Sequence, residues 1–110
     1  MDALRTEDRR VWREWLEKNH ATAKETWLLL YKKHTGKTSI SYEEAVEEAL
    51  CFGWVDSAIR RVDDETYAQR FTPRKPGSKW SKSNVLRMRK LIKENRARKP
   101  GLEVFASRAS

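Results

Sequence analysis

Apolar residues recur along this chain with two periods, and the change from one to the other outlines the fold. Val11, Trp12, Trp15 and Leu16 share one face at helical spacing, with Arg9, Arg10, Arg13, Glu14 and Glu17 around the remainder. Thr6, followed by Glu7 and Asp8, reads as the start of that helix and Asn19 as its end. His20, next to it, reads as loop. Residues 27–33, Trp-Leu-Leu-Leu-Tyr-Lys-Lys, are too few for periodicity to separate strand from helix. Thr26 before them and Thr35-Gly36-Lys37 after them favour a strand that ends in a turn. Ser41-Tyr42-Glu43-Glu44 is a capping box. Tyr42, Ala45, Val46, Ala49 and Leu50 then repeat at i, i+3, i+4, i+7 and i+8, and Gly53 stands where a helix C-cap belongs. Glu43, Glu44, Glu47 and Glu48 read as a solvated acidic face of this helix, since charge runs usually are.

Beyond Gly53 the period shortens to two. Residues 54–62 and 66–72 flank Asp63-Asp64-Glu65 as a hairpin with a short acidic turn. Tyr67, Gln69 and Phe71 fall on one face of its second arm, Ala68 and Arg70 on the other. Ser81 then caps a helix whose predicted buried stripe is Val85, Met88 and Ile92, flanked by Leu91. Lys82, Arg87, Arg89, Lys90, Lys93 and Arg96 cover its other faces. Pro100 interrupts the chain, and residues 101–106 start a short last helix before a frayed end at Ser110. The order α-β-α-β-β-α-α predicts one α+β domain over residues 1–110, with a small, mostly antiparallel sheet of about three strands packed by helices.

Charge divides the chain. Residues 1–50 carry nine Lys/Arg against ten Asp/Glu, net −1, whereas residues 51–110 carry fifteen against six, net +9. Such asymmetry points to a basic face and an anionic partner, or to solubility alone. The 36% charged content is offset by five tryptophans, which supply apolar area for a core, so a folded domain is expected. No apolar run approaches the roughly 20 residues that span a bilayer. Residues 1–8 have no apolar signal core, and the single Cys51 fits a reducing compartment, so a cytoplasmic location is expected. The two histidines, His20 and His34, have no Cys or His at metal-ligand spacing, so neither a metal site nor a cofactor is predicted.

The stretch with most potential chemistry is 70–81, Arg-Phe-Thr-Pro-Arg-Lys-Pro-Gly-Ser-Lys-Trp-Ser. It holds two of the three prolines, four cations and no acid. Pro73 and Pro76 stiffen it, Gly77 permits a turn, and Ser81 opens a helix whose first NH groups attract anions. Arg70, Arg74, Lys75, Ser78, Lys79, Trp80 and Ser81 are therefore the candidate anion-binding residues, with Asp56 and Arg60 in support across the hairpin. There is no GxxxxGK[ST] loop. Two alternatives stand beside this reading. The hairpin and basic helix, with Trp80, Phe71 and Tyr67, would suit nucleic acid through phosphate contacts and base stacking. A protein-interaction module would instead show an exposed apolar patch. An enzyme built on Cys51 with Asp56 is disfavoured: Leu50 and Phe52 flank the thiol, which lies at the negative end of a helix dipole.

Residues 44–57, Glu-Ala-Val-Glu-Glu-Ala-Leu-Cys-Phe-Gly-Trp-Val-Asp-Ser, and residues 69–81 with Asn84 resemble the YdeI/OmpD-associated family, proteins linked by name to bacteriocin protection. Residues 27–34 and 39–44 extend the resemblance, which runs from Trp15 to Leu102. It implies a cytoplasmic prokaryotic protein with a part in stress or envelope-related resistance, and it supplies neither substrate nor catalytic residues. Many members continue into a further helical segment rich in Trp, Lys and Arg. The combined reading is a non-catalytic binding domain for a phosphate-bearing partner, with no cofactor and no membrane insertion.

Overall fold

Sheet and helices divide the work of burying the aromatic residues. The structure, a computed structural model, describes residues 3–109. Its elements are β1 (Ala3–Arg5), α1 (Arg9–Asn19), β2 (Thr26–Tyr31), a 3-10 turn (Lys33–Thr35), α2 (Tyr42–Cys51), β3 (Trp54–Arg61), β4 (Thr66–Pro73), α3 (Lys82–Lys93) and α4 (Lys99–Ala106). The architecture is the expected α+β arrangement, and its order from α1 onward is the expected one. The sheet runs β1-β2-β4-β3; β4 pairs antiparallel with both β2 and β3, and β1 adds a short parallel edge. The frayed end expected at Ser110 lies outside the described residues.

The sheet has two unlike faces, fixed by register. Leu28, Leu30 and Phe71 point to one side and join Trp12, Leu16, Leu50, Trp54, Met88 and Leu91 in a single core cluster. Trp12 lies 5.1 Å from Phe71 and 5.6 Å from Trp15, which in turn meets Trp54 edge-on. Trp27, Leu29 and Tyr31 alternate to the opposite side, outside that cluster and partly in water. A bulge at Ser57, between Asp56 and Ala58, changes the alternation of β3. It leaves Asp56 level with Phe71 on the helix side and Arg60 level with Ala68 on the open side. The anticipated partnership of Asp56 with Arg60 is therefore not made, because the bulge sends the two side chains to opposite faces.

Helix ends follow local chemistry. Ser41 and Glu44 form both bonds of the capping box, and Gly53 follows α2 with φ +77°. Ser81 Oγ accepts from the Asn84 amide at the start of α3. At α1 the cap is Asp8 rather than Thr6: Asp8 accepts from the Arg10 amide, while Thr6 Oγ1 accepts from the Asp8 amide one turn earlier. Pro100 sits in the first turn of α4, where its missing NH costs nothing, so it begins that helix rather than interrupting the chain.

Two further expectations change. The buried stripe of α3 is Asn84, Met88 and Leu91, and Ile92 is 40% exposed. The helix is rotated so that the 84-88-91 spacing, not 85-88-92, meets α2. More consequentially, the acidic face of α2 is not solvated. Glu47 is 5% exposed and Glu48 fully buried, because α1 and α3 close over them from both sides. Glu48 accepts from Arg9 Nε at 2.6 Å, from Arg13 Nη1 at 2.7 Å and from Arg96 Nη2. Glu47 accepts from Arg9 and Lys90, each at 2.9 Å. Arg13 also donates to the Arg96 carbonyl and lies over the Phe52 ring.

Removing Glu48 would leave three guanidinium groups around an uncompensated buried site. Glu48→Gln is expected to cost about 3 kcal/mol or more in urea unfolding; a loss under about 1 kcal/mol would rule out this weight for the cluster. Glu47 gives the pH dependence. Burial opposes its ionisation, but hydrogen bonds from Lys90 and Arg9 outweigh burial and hold the carboxyl below its ordinary 4.5. A carboxyl depressed in the folded state stabilises above the unfolded value, and that contribution fades as pH falls through the folded one. The urea midpoint should therefore hold near neutrality and decline as pH drops below about 4.5. Glu47→Gln should flatten that decline.

Candidate functional site

The loop between β4 and α3 is the place to look first, and its side chains are largely occupied with one another. Arg74 donates from Nε to Ser78 Oγ at 3.1 Å and from Nη2 to the Lys79 carbonyl at 2.7 Å. Its guanidinium stacks 4.5 Å from the centre of the Trp80 ring. Burial lowers its pKa from the usual arginine value, and the charge of Asp56 opposes that shift. Trp80 is 7% exposed, packs edge-on against Phe105 of α4, and its Nε1 has no hydrogen-bond partner among the described residues. Gly77, at φ +79°, donates its amide to Ser107 Oγ, and the Ala109 amide donates to the Ser78 carbonyl. The loop thus clasps the end of α4.

The other predicted residues are dispersed. Arg70 lies on the open face of β4, paired with Glu25 at 2.8 Å. Ser81 is taken up by its capping bond. Asp56 accepts from the Tyr42 hydroxyl at 2.7 Å, and Arg60 stands on the open face of the edge strand β3. Burial, then the bond to Asp56, pushes the Tyr42 phenol up to about 12. Of the four cations among the candidate anion-binding residues, only Lys75 and Lys79 make no side-chain hydrogen bond or ion pair among the described residues, and the buried Trp80 indole makes none either.

Aromatic availability also differs from expectation. Phe71 is fully buried, Trp80 nearly so, and Tyr67 half-buried, so Phe71 and Trp80 cannot stack on a base. The sulfur of Cys51 is inside the core, and burial pushes its thiol pKa up despite the nearby Arg13 guanidinium. Among the described residues, no cluster of three or more His, Cys, Asp or Glu is placed to hold a metal, and no helix is long and apolar enough to cross a membrane.

Sequence reasoning placed the cations of α3 away from its buried stripe but did not separate the paired ones from those that face outward. Lys82, Leu86, Arg89 and Lys93 follow one another at i, i+4, i+7 and i+11, within a narrow arc opposite the buried stripe. Arg87 binds Glu43 through two nitrogens and Lys90 binds Glu47, both facing α2. Lys82, Arg89 and Lys93 have no such partner among the described residues. The signal was present in the spacing, but it reads correctly only once the helix rotation is known.

The bonds of Arg74 predict a stability role separable from binding. Arg74→Ala is expected to cost about 1–2 kcal/mol from the lost ring contact and hydrogen bonds. Lys75→Ala and Lys79→Ala should stay within about 0.5 kcal/mol of the parent in thermal unfolding. Equal losses in all three would show that the loop is not organised through Arg74.

Comparison with known proteins adds one family. No curated protein and no solved structure matches the chain. A family model described as a domain of unknown function, DUF8412, matches residues 4–104. That span begins in β1 and ends in α4, taking in the whole sheet and the buried Glu48 cluster, so the chain belongs to the DUF8412 family.

Proposed function

We propose that this domain binds a phosphate-bearing polyanion without catalysing a reaction, through a basic ridge formed by the 75–82 loop and the outer face of α3. The observation that carries the proposal is the sorting of cations on α3. Those facing α2 are neutralised by Glu43 and Glu47, while Lys82, Arg89 and Lys93 point outward with no carboxylate partner among the described residues. Lys75 and Lys79 precede the helix N-terminus in the adjoining loop. From Lys82 to Lys93 the helix advances about 16 Å, a length that suits successive phosphates better than one small anion. Leu86, 61% exposed at the centre of the ridge, gives the surface an apolar contact as well.

This reading keeps the anionic partner suggested by charge asymmetry and places its contact beside the loop rather than within it. Arg74, Ser78 and Ser81 act as scaffold, and Arg70 and Arg60 belong to another face. A cytoplasmic setting, and a role in stress or bacteriocin resistance of the YdeI/OmpD-associated kind, accompany it as proposals resting on the single cysteine and on the resemblance of residues 44–57 and 69–81.

Binding to duplex DNA as a model polyanion tests the ridge. The triple variant Lys82→Ala, Arg89→Ala, Lys93→Ala should bind more weakly at low salt. Its slope of log affinity against log salt should be shallower by about 2.7, since each phosphate contact contributes about 0.9. An unchanged slope with a folded variant would remove the ridge from consideration.

A further inference from the structure

The open face of the sheet carries a second set of side chains that the ridge does not use. Cross-strand register places Ala3, Trp27, Arg70 and Ala58 in one row, and Arg5, Leu29, Ala68 and Arg60 in the next. Tyr31 follows beside Thr66. Two aromatic rings thus stand four residues apart on β2, about 13 Å along the strand. Arginines lie at both edges, with Arg70 between them. Leu29 and Ala68 make the floor, and Ala68 is fully buried beneath its neighbours. The Trp27 indole is steadied by a hydrogen bond from Nε1 to Glu25, the carboxylate that also accepts from Arg70. At the Tyr31 end a cavity of about 230 Å³ opens between the Arg5–Glu7 segment and Ser39. That is below the range of about 300–1,000 Å³ typical of drug-sized ligands, and it suits a single ring.

We infer that this face binds single-stranded nucleic acid, with bases stacked on Trp27 and Tyr31, phosphates held by Arg5 and Arg60 at its two edges, and one base turned into the cavity beside Tyr31. Aromatic platforms flanked by cations take extended single strands because every base has a π-face, whereas a paired duplex hides those faces. Charge selects this occupant. A second copy laid face to face would bring Arg5, Arg60 and Arg70 against their own counterparts, and Glu25 is already engaged by Arg70. The hydroxyl hydrogens of Ser39 and Thr66 are donated to the Ile40 carbonyl and to Asp63, so their oxygens and the Glu7 carboxylate offer acceptors for the amino or imino edge of an inserted base. The inference uses residues outside the ridge and stands whether or not the ridge binds a polyanion.

Trp27 itself provides the readout. Trp12, Trp15, Trp54 and Trp80 belong to the core or pack against it, so Trp27 is the tryptophan on the open face. Titration with a dT oligonucleotide of about 12 nucleotides should quench tryptophan fluorescence. In Trp27→Phe the quench should vanish while fluorescence anisotropy of a labelled oligonucleotide still reports binding. Trp27→Ala and Tyr31→Ala should each weaken binding by about tenfold or more. Arg60→Ala, at an exposed residue with no side-chain partner among the described residues, should weaken it without affecting folding. The triple ridge variant should retain the quench. Three outcomes would overturn the inference: a quench that survives Trp27→Phe, a duplex of the same length competing equally well, or full affinity in Arg60→Ala and Tyr31→Ala together. Sedimentation showing a dimer that Arg60→Ala changes would assign the face to a second copy instead.

Discussion

A carboxylate with no exposed surface, Glu48, is the constraint on which the packing of this domain depends. It sits in α2, the helix that touches α1, α3, α4 and β3, and it is surrounded by Arg9, Arg13 and Arg96. Such a group is costly to desolvate and stabilising only while its partners remain in place. The two arginines of α1 therefore fix the rotation of that helix, which in turn sets Trp12 against Phe71. Arg96 fixes the course of the chain between α3 and α4. Apolar surface supplies the gross driving force, while the ion cluster restricts how those surfaces meet.

The same cluster alters the meaning of the charge distribution. The second half of the sequence has an excess of nine positive charges, but part of that excess neutralises acids of the first half: Arg87 takes Glu43, Lys90 takes Glu47, and Arg96 takes Glu48. Of the second-half cations with no carboxylate partner among the described residues, Lys82, Arg89 and Lys93 line the outer side of α3, Arg60 stands on the open side of the sheet, and the others lie in the 74–79 loop and around α4. The loop at 70–81, with four cations and no acid, uses the Arg74 guanidinium to hold Trp80 and the loop itself. Density along the chain and availability in space are different quantities here.

Much of the fold was legible because it rests on local chemistry. The Ser41 capping box, the Ser81 cap and the hairpin around 62–65 depend on residues within a few positions of one another, and each was readable on that basis. Elements whose causes are distant were not. The strand β1 is three residues long and exists through its pairing with β2. The rotation of α3 depends on what α2 presents to it, and nothing in the acidic run 43–48 separates Glu44, half exposed, from Glu48, fully buried. The candidate site follows the same rule. Its residue types were evident, but whether Arg60 shares a face with Asp56 was decided by one bulge at Ser57. Whether Trp27 or Trp80 is open to a ligand was decided by which side of the fold each meets.

The position of Arg96 between α3 and α4, after every strand, has a consequence for synthesis. A nascent chain emerges from its N-terminus, so Arg9 and Arg13 are available when Glu48 appears, whereas Arg96 follows only after a further 48 residues. Until then α2 is short of one guanidinium, and the Cys51 carbonyl lacks the Arg98 amide that it accepts from in the finished fold. The β3 and β4 segments are synthesised within that interval, before α3 and α4. Glu48 is thus completed by a residue made after every strand, and the ion cluster closes only when the segment joining α3 to α4 packs back onto α2.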